Sequence, residues 1–175
     1  MSLIGDALAI CPAHRFAKTL CPSRYLRVSK DDVVYRKIRA LMQWRTDLLM
    51  AGRFEDMARE FRLPLALYVD GQPLVVSTVD HLVGLLEQVQ MGRRQRGTVN
   101  VLTEVTAMDL PRNGRFRVWL RHHEMDARGQ ITLQSDAVHY CNETPHGLRD
   151  VMVESTGCCL PDAWAVPKTQ LATQG

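Results

Sequence analysis

The chain has 175 residues, 46% of them hydrophobic and 23% charged, a balance that suits one folded domain and excludes wholesale disorder. Its apolar runs fall well short of the ~18 residues of a membrane-spanning helix, so no integral membrane protein is expected. The net charge of +3 is uneven: residues 1–30 hold five Arg or Lys against Asp6 alone, whereas residues 31–155 hold sixteen against seventeen acids. A neutral body has no basic face for phosphates, and nucleic acid is not an expected partner.

The five cysteines, Cys11, Cys21, Cys141, Cys158 and Cys159, are odd in number and have no CxxC or zinc-finger spacing. The apolar patch Leu8-Ala9-Ile10 follows Asp6 and lacks a cationic segment before it, unlike a signal peptide. Reduced thiols in the cytoplasm are therefore expected, and the sequon Asn142-Glu143-Thr144 would matter only in a secreted protein.

Residues 1–28, broken by Pro12 and Pro22, carry no sustained period and read as an N-terminal arm; the domain is expected over 29–155. Ser29 followed by Asp31 and Asp32 is an N-cap signal, and Val34, Ile38, Leu41, Met42, Leu48 and Leu49 predict a helix ending at Gly52. Phe54, Met57, Ala58 and Phe61 predict a second short helix stopped by Pro64. Residues 65–69 read as a buried strand before the Asp70-Gly71 turn, and a third helix, capped by Ser77 or Thr78, carries Val79, Leu82, Val83, Leu86 and Val89. Arg93, Arg94 and Arg96 then read as a solvated loop.

From residue 98 the period becomes two. Segments 98–110, 115–125, 131–142 and 148–155 are predicted strands, joined at Asn113-Gly114, Asp126-Ala127-Arg128-Gly129 and Thr144-Pro145-His146-Gly147. The tail is expected over 156–175. Helices segregated from an antiparallel meander define an α+β domain, and a curved sheet wrapped around about three helices makes a cone.

The runs Gly52-Arg53-Phe54-Glu55-Asp56-Met57, Phe61-Arg62-Leu63-Pro64-Leu65, Ser77-Thr78-Val79-Asp80-His81-Leu82 and Ser135-Asp136-Ala137-Val138-His139-Tyr140, with Gly147-Leu148-Arg149, resemble the nuclear transport factor 2-like superfamily, most closely its SnoaL-like members. The resemblance covers about residues 31–155. It implies a cystatin-like cone with an internal pocket and frequent dimerisation through the sheet. Such proteins include polyketide cyclases, ketosteroid isomerases, scytalone dehydratases and non-enzymatic domains; none of their catalytic sets maps onto this chain residue by residue.

Strand parity supplies candidates independently. In 115–125 the inward face carries Phe116, Val118, Leu120, His122 and Glu124; in 131–142 it carries Ile131, Leu133, Ser135, Ala137, His139 and Cys141. Val151 and Val153 are expected inward on the last strand, while 98–110 is ambiguous between Val99, Val101, Val105 and Leu102, Met108, Leu110. His122 and His139 are the candidate acid–base groups, because an imidazole on an apolar face can move a proton near neutral pH. Trp44, Tyr68, Phe116, Val118, Leu120, Glu124, Ser135 and Cys141 are the candidate pocket residues, with Glu124 expected to be exposed beside the Asp126 turn.

The outward face combines Trp119, Val138, Tyr140 and Met152 with Arg117, Arg121 and Arg149, an interface composition that predicts a homodimer. His122 and His123 face opposite sides and cannot easily share one ion, so no metal is expected. No GxSxG elbow or glycine-rich phosphate loop occurs, and no cofactor is expected. Three functions remain open: a binding domain for an apolar small molecule, a cofactor-independent isomerase, cyclase or dehydratase, and a non-enzymatic interaction module.

Overall fold

The structure, a computed structural model, describes residues 33–157. The expected arm, most of the expected tail, the Ser29 cap and Cys11, Cys21, Cys158 and Cys159 lie outside the described residues. The elements are α1 (Val33–Met50), α2 (Phe54–Ala58), β1 (Phe61–Val69), β2 (Gln72–Val76), α3 (Val79–Gln95), β3 (Asn100–Met108), β4 (Arg115–Met125), β5 (Ile131–Thr144) and β6 (Gly147–Thr156). They form an α+β domain around one curved six-stranded sheet ordered β2-β1-β6-β5-β4-β3. None of the described helices is long and apolar enough to cross a membrane.

The antiparallel meander β3–β6 forms as its turn chemistry dictates. Asn113 and Gly114 both take positive φ, 52° and 69°, which a two-residue hairpin with primed-turn geometry requires. β1 then joins the meander by parallel pairing with β6, and β2 pairs antiparallel with β1. Pro64 lies inside β1, so the strand begins at Phe61, earlier than the sequence pattern suggested, and α2 has only five residues. Thr78 caps α3 by accepting from the His81 amide at 3.2 Å.

Register shifts bend the strands and reset their parity. Thr106 is the extra residue on β3 between the Val105–Leu120 and Ala107–Trp119 pairs. That bulge resolves the ambiguity of this segment: Val101 and Val105 face inward before it and Met108 faces inward after it, while Val99, Leu102 and Leu110 are exposed. A second shift, at Tyr140/Cys141, leaves Val151 as the extra residue of β6. Asp150, rather than Val151, therefore takes the inward place opposite Cys141, and Val153 lies opposite His139.

Two apolar clusters fill the concave side. One joins Tyr35 and Met42 of α1 to Val105, Phe116, Val118 and Leu120; the other joins Leu48 and Leu49 to Leu65, Val76, Leu82 and Leu86. The buried stripe of α1 runs through Tyr35, Met42, Arg45, Thr46 and Leu49, with Val34 half exposed. Arg45 and Thr46 thus interrupt an otherwise apolar stripe where the two clusters meet.

Helix α1 also closes an open edge. β3 is an outer strand, and its outward amides and carbonyls would template pairing with another chain. Gln43 presents its carboxamide as a substitute peptide: Nε2 donates to Val101 O at 3.1 Å and Oε1 accepts from Thr103 N at 2.8 Å. The Tyr35 hydroxyl donates to Val105 O at 2.6 Å. Gln43→Leu would leave the Val101 and Thr103 groups without these partners. The expected result is a loss of about 1–3 kcal/mol, read as a lower urea midpoint at unchanged slope, with increased self-association by light scattering.

Candidate functional site

Strands β4 and β5 bring the inward candidates together. Phe116, Val118, Leu120, Ser135, His139 and Cys141 are buried on the concave face, and His122 pairs with Ser135 across the strands. Trp44 and Tyr68 do not join them. They are 44% and 39% exposed, because Trp44 lies off the buried stripe of α1 and Tyr68 is one pair from the β1–β2 turn.

At the meeting point of the apolar clusters, a buried ionic network surrounds His139. The fully buried Asp150 carboxylate receives His139 Nδ1 at 2.7 Å, Arg45 Nη1 at 3.0 Å and the Cys141 thiol at 3.2 Å. Arg45 also donates to Glu60 Oε2, through Nε at 3.2 Å and Nη2 at 3.1 Å, and to Leu148 O at 3.0 Å. Burial alone would raise the Asp150 pKa. The His139 and Arg45 charges, with the hydrogen bonds from His139 and Cys141, outweigh it and hold the carboxylate below its ordinary range. Cys141 is shifted the other way, first by burial and then by the Asp150 charge, so its thiol stays protonated. An ionised Asp150 fixes the His139 ring with Nδ1–H toward it, leaving Nε2 on the outer side of the ring. No described group bonds that Nε2, and the His139 side chain is 11% exposed.

His122 sits in a different chemical environment. Its Nδ1 lies 3.0 Å from Thr103 Oγ1, which lies 2.7 Å from Thr46 Oγ1, itself 3.1 Å from Met42 O. Desolvation, then the charges of His139, Arg93 and His123, push its pKa from 6.5 to about 3, against a small opposing contribution from Asp136. Both histidine networks hang on one turn of α1: Met42 Sδ receives Arg45 Nη1 at 3.7 Å while Met42 O receives the Thr46 hydroxyl.

Two expectations are overturned at the far end of β4. Glu124 is 3% exposed, and Arg93 and Arg96 are not a solvated loop. Arg93, on the last turn of α3, donates to Glu124 Oε1 at 3.1 Å; Arg96 Nη2 reaches both carboxylate oxygens at 3.0 Å, and Thr98 Oγ1 donates at 2.8 Å. The arginines clamp the carboxylate instead of facing water, because α3 packs its C-terminal turn onto the sheet. Only Arg94 of the three points outward.

The convex face carries the other candidate set. Its rows are Arg117–Tyr140–Met152, Trp119–Val138–Glu154 and Arg121–Asp136–Thr156 across β4, β5 and β6. Arg117 stacks 4.9 Å from the Trp119 ring and pairs with Asp109 at 2.7 Å; Arg121 pairs with Asp136 at 2.8 Å. A groove of about 280 Å³ runs between Trp119, Val138, Asp136 and Glu154. Among the described residues, no cluster of His, Cys, Asp or Glu has the arrangement of a metal site.

The His122 shift has a signed consequence. The unfolded chain binds this proton near pH 6.5 and the folded chain only near 3, so its contribution to stability is complete above 6.5 and is lost as pH falls toward 3. His122→Asn removes the titration, and the stability of the wild type relative to this variant is expected to shrink across that window. Denaturant titrations at a series of pH values measure it; parallel pH profiles would contradict a buried neutral His122.

No protein-family model matches this sequence, and a search of curated proteins finds no match. Solved structures do resemble the fold. A domain of unknown function with a cystatin-like fold from Nostoc punctiforme is 13% identical, with 70% of this chain and 75% of that chain covered at a TM-score of 0.56. Aln2 from a Streptomyces species is 9% identical, with 71% and 90% covered at 0.55. An NTF2-like protein with a cystatin-like fold from Novosphingobium aromaticivorans is 16% identical, with 76% and 94% covered at 0.51. The curved sheet, the helices on its concave side and these likenesses together identify the fold of this chain as the nuclear transport factor 2-like cone.

Proposed function

We propose that the concave face binds a small molecule between α1 and strands β4–β5, with His139 as the group that exchanges a proton with it. One observation carries this reading: His139 Nδ1 is held by the buried Asp150 carboxylate while Nε2 has no described partner. A carboxylate–imidazole pair with a free outer nitrogen is the arrangement of a general base or acid. Its position supports the reading, since polar side chains are concentrated where the two apolar clusters meet.

Within that reading, the dyad favours cofactor-independent proton transfer, the chemistry of an isomerase, cyclase or dehydratase, over passive binding. Cys141 is excluded as a nucleophile by its protonated, buried state. Native mass spectrometry of protein isolated from its native cells would reveal the bound molecule as a mass released on denaturation. With that molecule in hand, His139→Gln is expected to lower turnover by about 10²–10⁴-fold while the fold is retained. Unchanged turnover would remove His139 from the chemistry and leave a binding domain.

The convex face fits a second copy of the chain. Arg117 and Arg121 lie among Asp109, Asp136 and Glu154, so a two-fold pairing can match charges of opposite sign around the Trp119–Val138 centre. Trp119→Glu is expected to convert the dimer to a folded monomer, measured by analytical ultracentrifugation with circular dichroism as the control. A wild-type monomer at micromolar concentration would refute the pairing.

A further inference from the structure

The proton inventory around His122 fixes which kind of hydrogen bond its outer nitrogen can make. Thr46 and Thr103 have one hydroxyl proton each. Three short contacts, Thr46 to Met42 O, Thr103 to Thr46 and His122 Nδ1 to Thr103, can all be hydrogen bonds in only one direction. Thr46 donates to the Met42 carbonyl, which cannot donate in return. Thr103 then donates to Thr46 Oγ1, which leaves Thr103 Oγ1 to accept from His122 Nδ1–H. The reverse orientation spends the Thr46 proton on Thr103 and forfeits the carbonyl bond. His122 is thereby fixed as the Nδ1–H tautomer, and its Nε2 offers a lone pair.

Ser135 stands directly across from His122 on the same concave face. Among the described residues, neither Ser135 Oγ nor His122 Nε2 has a hydrogen-bond partner. The only described side-chain nitrogens or oxygens that are both sealed from water and unpartnered are Arg93 Nη1 and His123 Nδ1. His122 Nε2 and Ser135 Oγ are therefore open to a water-sized group. Together they present an obligate acceptor beside a hydroxyl that can donate.

We infer that His122 Nε2 and Ser135 Oγ form a subsite for a neutral hydroxyl group of the ligand, which donates to the imidazole and accepts from the serine. This inference rests on the proposed concave-face site and adds the class of molecule it takes: an alcohol, enol or phenol. A carbonyl or carboxylate only accepts, and its oxygen would face the Nε2 lone pair. An ether can accept from Ser135 but leaves Nε2 unsatisfied. The subsite is thus complementary to a group that both gives and takes a hydrogen bond, and it differs from an oxyanion hole, whose protein groups all donate.

The first test needs no ligand. Nitrogen-15 NMR of the imidazole side chains in the full chain is expected to find His122 as the neutral Nδ1–H tautomer; an Nε2–H tautomer overturns the inference. The second test titrates the same sample with a naphthol, its methyl ether and the corresponding naphthoate. The naphthol is expected to shift the His122 Nε2 resonance and to bind about tenfold more tightly than the ether, equivalent to about 1.4 kcal/mol. Ser135→Ala should weaken naphthol binding severalfold. Equal binding of naphthol and ether at the histidines, or preference for the naphthoate, overturns the hydroxyl subsite but leaves the concave site standing. No perturbation of His122 or His139 by any of the three compounds counts against both.

Discussion

The Arg45–Asp150 ion pair is the contact on which the interior depends. Both side chains are almost completely buried, at 2% and 0% exposure, and they join α1 to the start of β6. Glu60, just before β1, takes the other edge of the Arg45 guanidinium, and its carbonyl accepts the Asp150 amide at 3.1 Å. One arginine thus fixes the helix against the place where β1 meets β6, the parallel pairing that turns a four-stranded meander into a six-stranded sheet. Removing Arg45 would take the guanidinium from the buried Asp150 and Glu60 carboxylates together, at a cost of about 3–5 kcal/mol, whereas a well-packed apolar replacement of a whole buried ion pair is often neutral. Stability alone therefore does not require the pair. What it adds is placement of a carboxylate against His139.

Strand bulges determine which residues reach that interior. A regular β6 would bury Val151 and Val153 and turn Asp150 toward the convex side; the extra residue at Val151 inverts the parity for the first part of the strand. The bulge on β3 likewise lets Thr103 and Met108, five residues apart, both face inward. Thr103 then meets Thr46 and His122, while Met108 packs into the apolar cluster. The bulges thus bend the sheet into its cone and sort polar from apolar side chains at the same positions.

This sorting explains what the sequence revealed and what it concealed. The meander was legible because Asn113-Gly114 and the period-two strands depend on local geometry alone, and the inward sets of β4 and β5 followed from parity except at Ile131, which the register shift at Thr132 leaves 59% exposed. Asp150 was not legible, because a bulge is a long-range property of two paired strands and Leu148-Arg149-Asp150 reads locally as the polar end of a hairpin. Glu124 was misplaced for a related reason: its burial depends on Arg93 and Arg96 arriving from a helix some thirty residues earlier. Arg45 and Thr46 did leave a signal. They occupy the buried stripe of α1 between Met42 and Leu49, and a polar pair at that spacing marks an interior partner still to be found.

The two inward histidines show why partner chemistry matters more than shared location. His122 leans on a hydroxyl chain that ends at a helix carbonyl, and burial with neighbouring positive charge outweighs the small pull of Asp136 and keeps it neutral to about pH 3. His139 leans on a buried carboxylate, which orients Nδ1–H and turns Nε2 away from it. In the proposed site the first ring would read a ligand's hydroxyl without changing its own charge, and the second would exchange a proton with that ligand. Since Thr46 and Arg45 are consecutive residues of α1, any movement of that turn displaces the partners of both rings together. The two proposed roles, recognition and proton transfer, thus rest on partners held by a single helical turn.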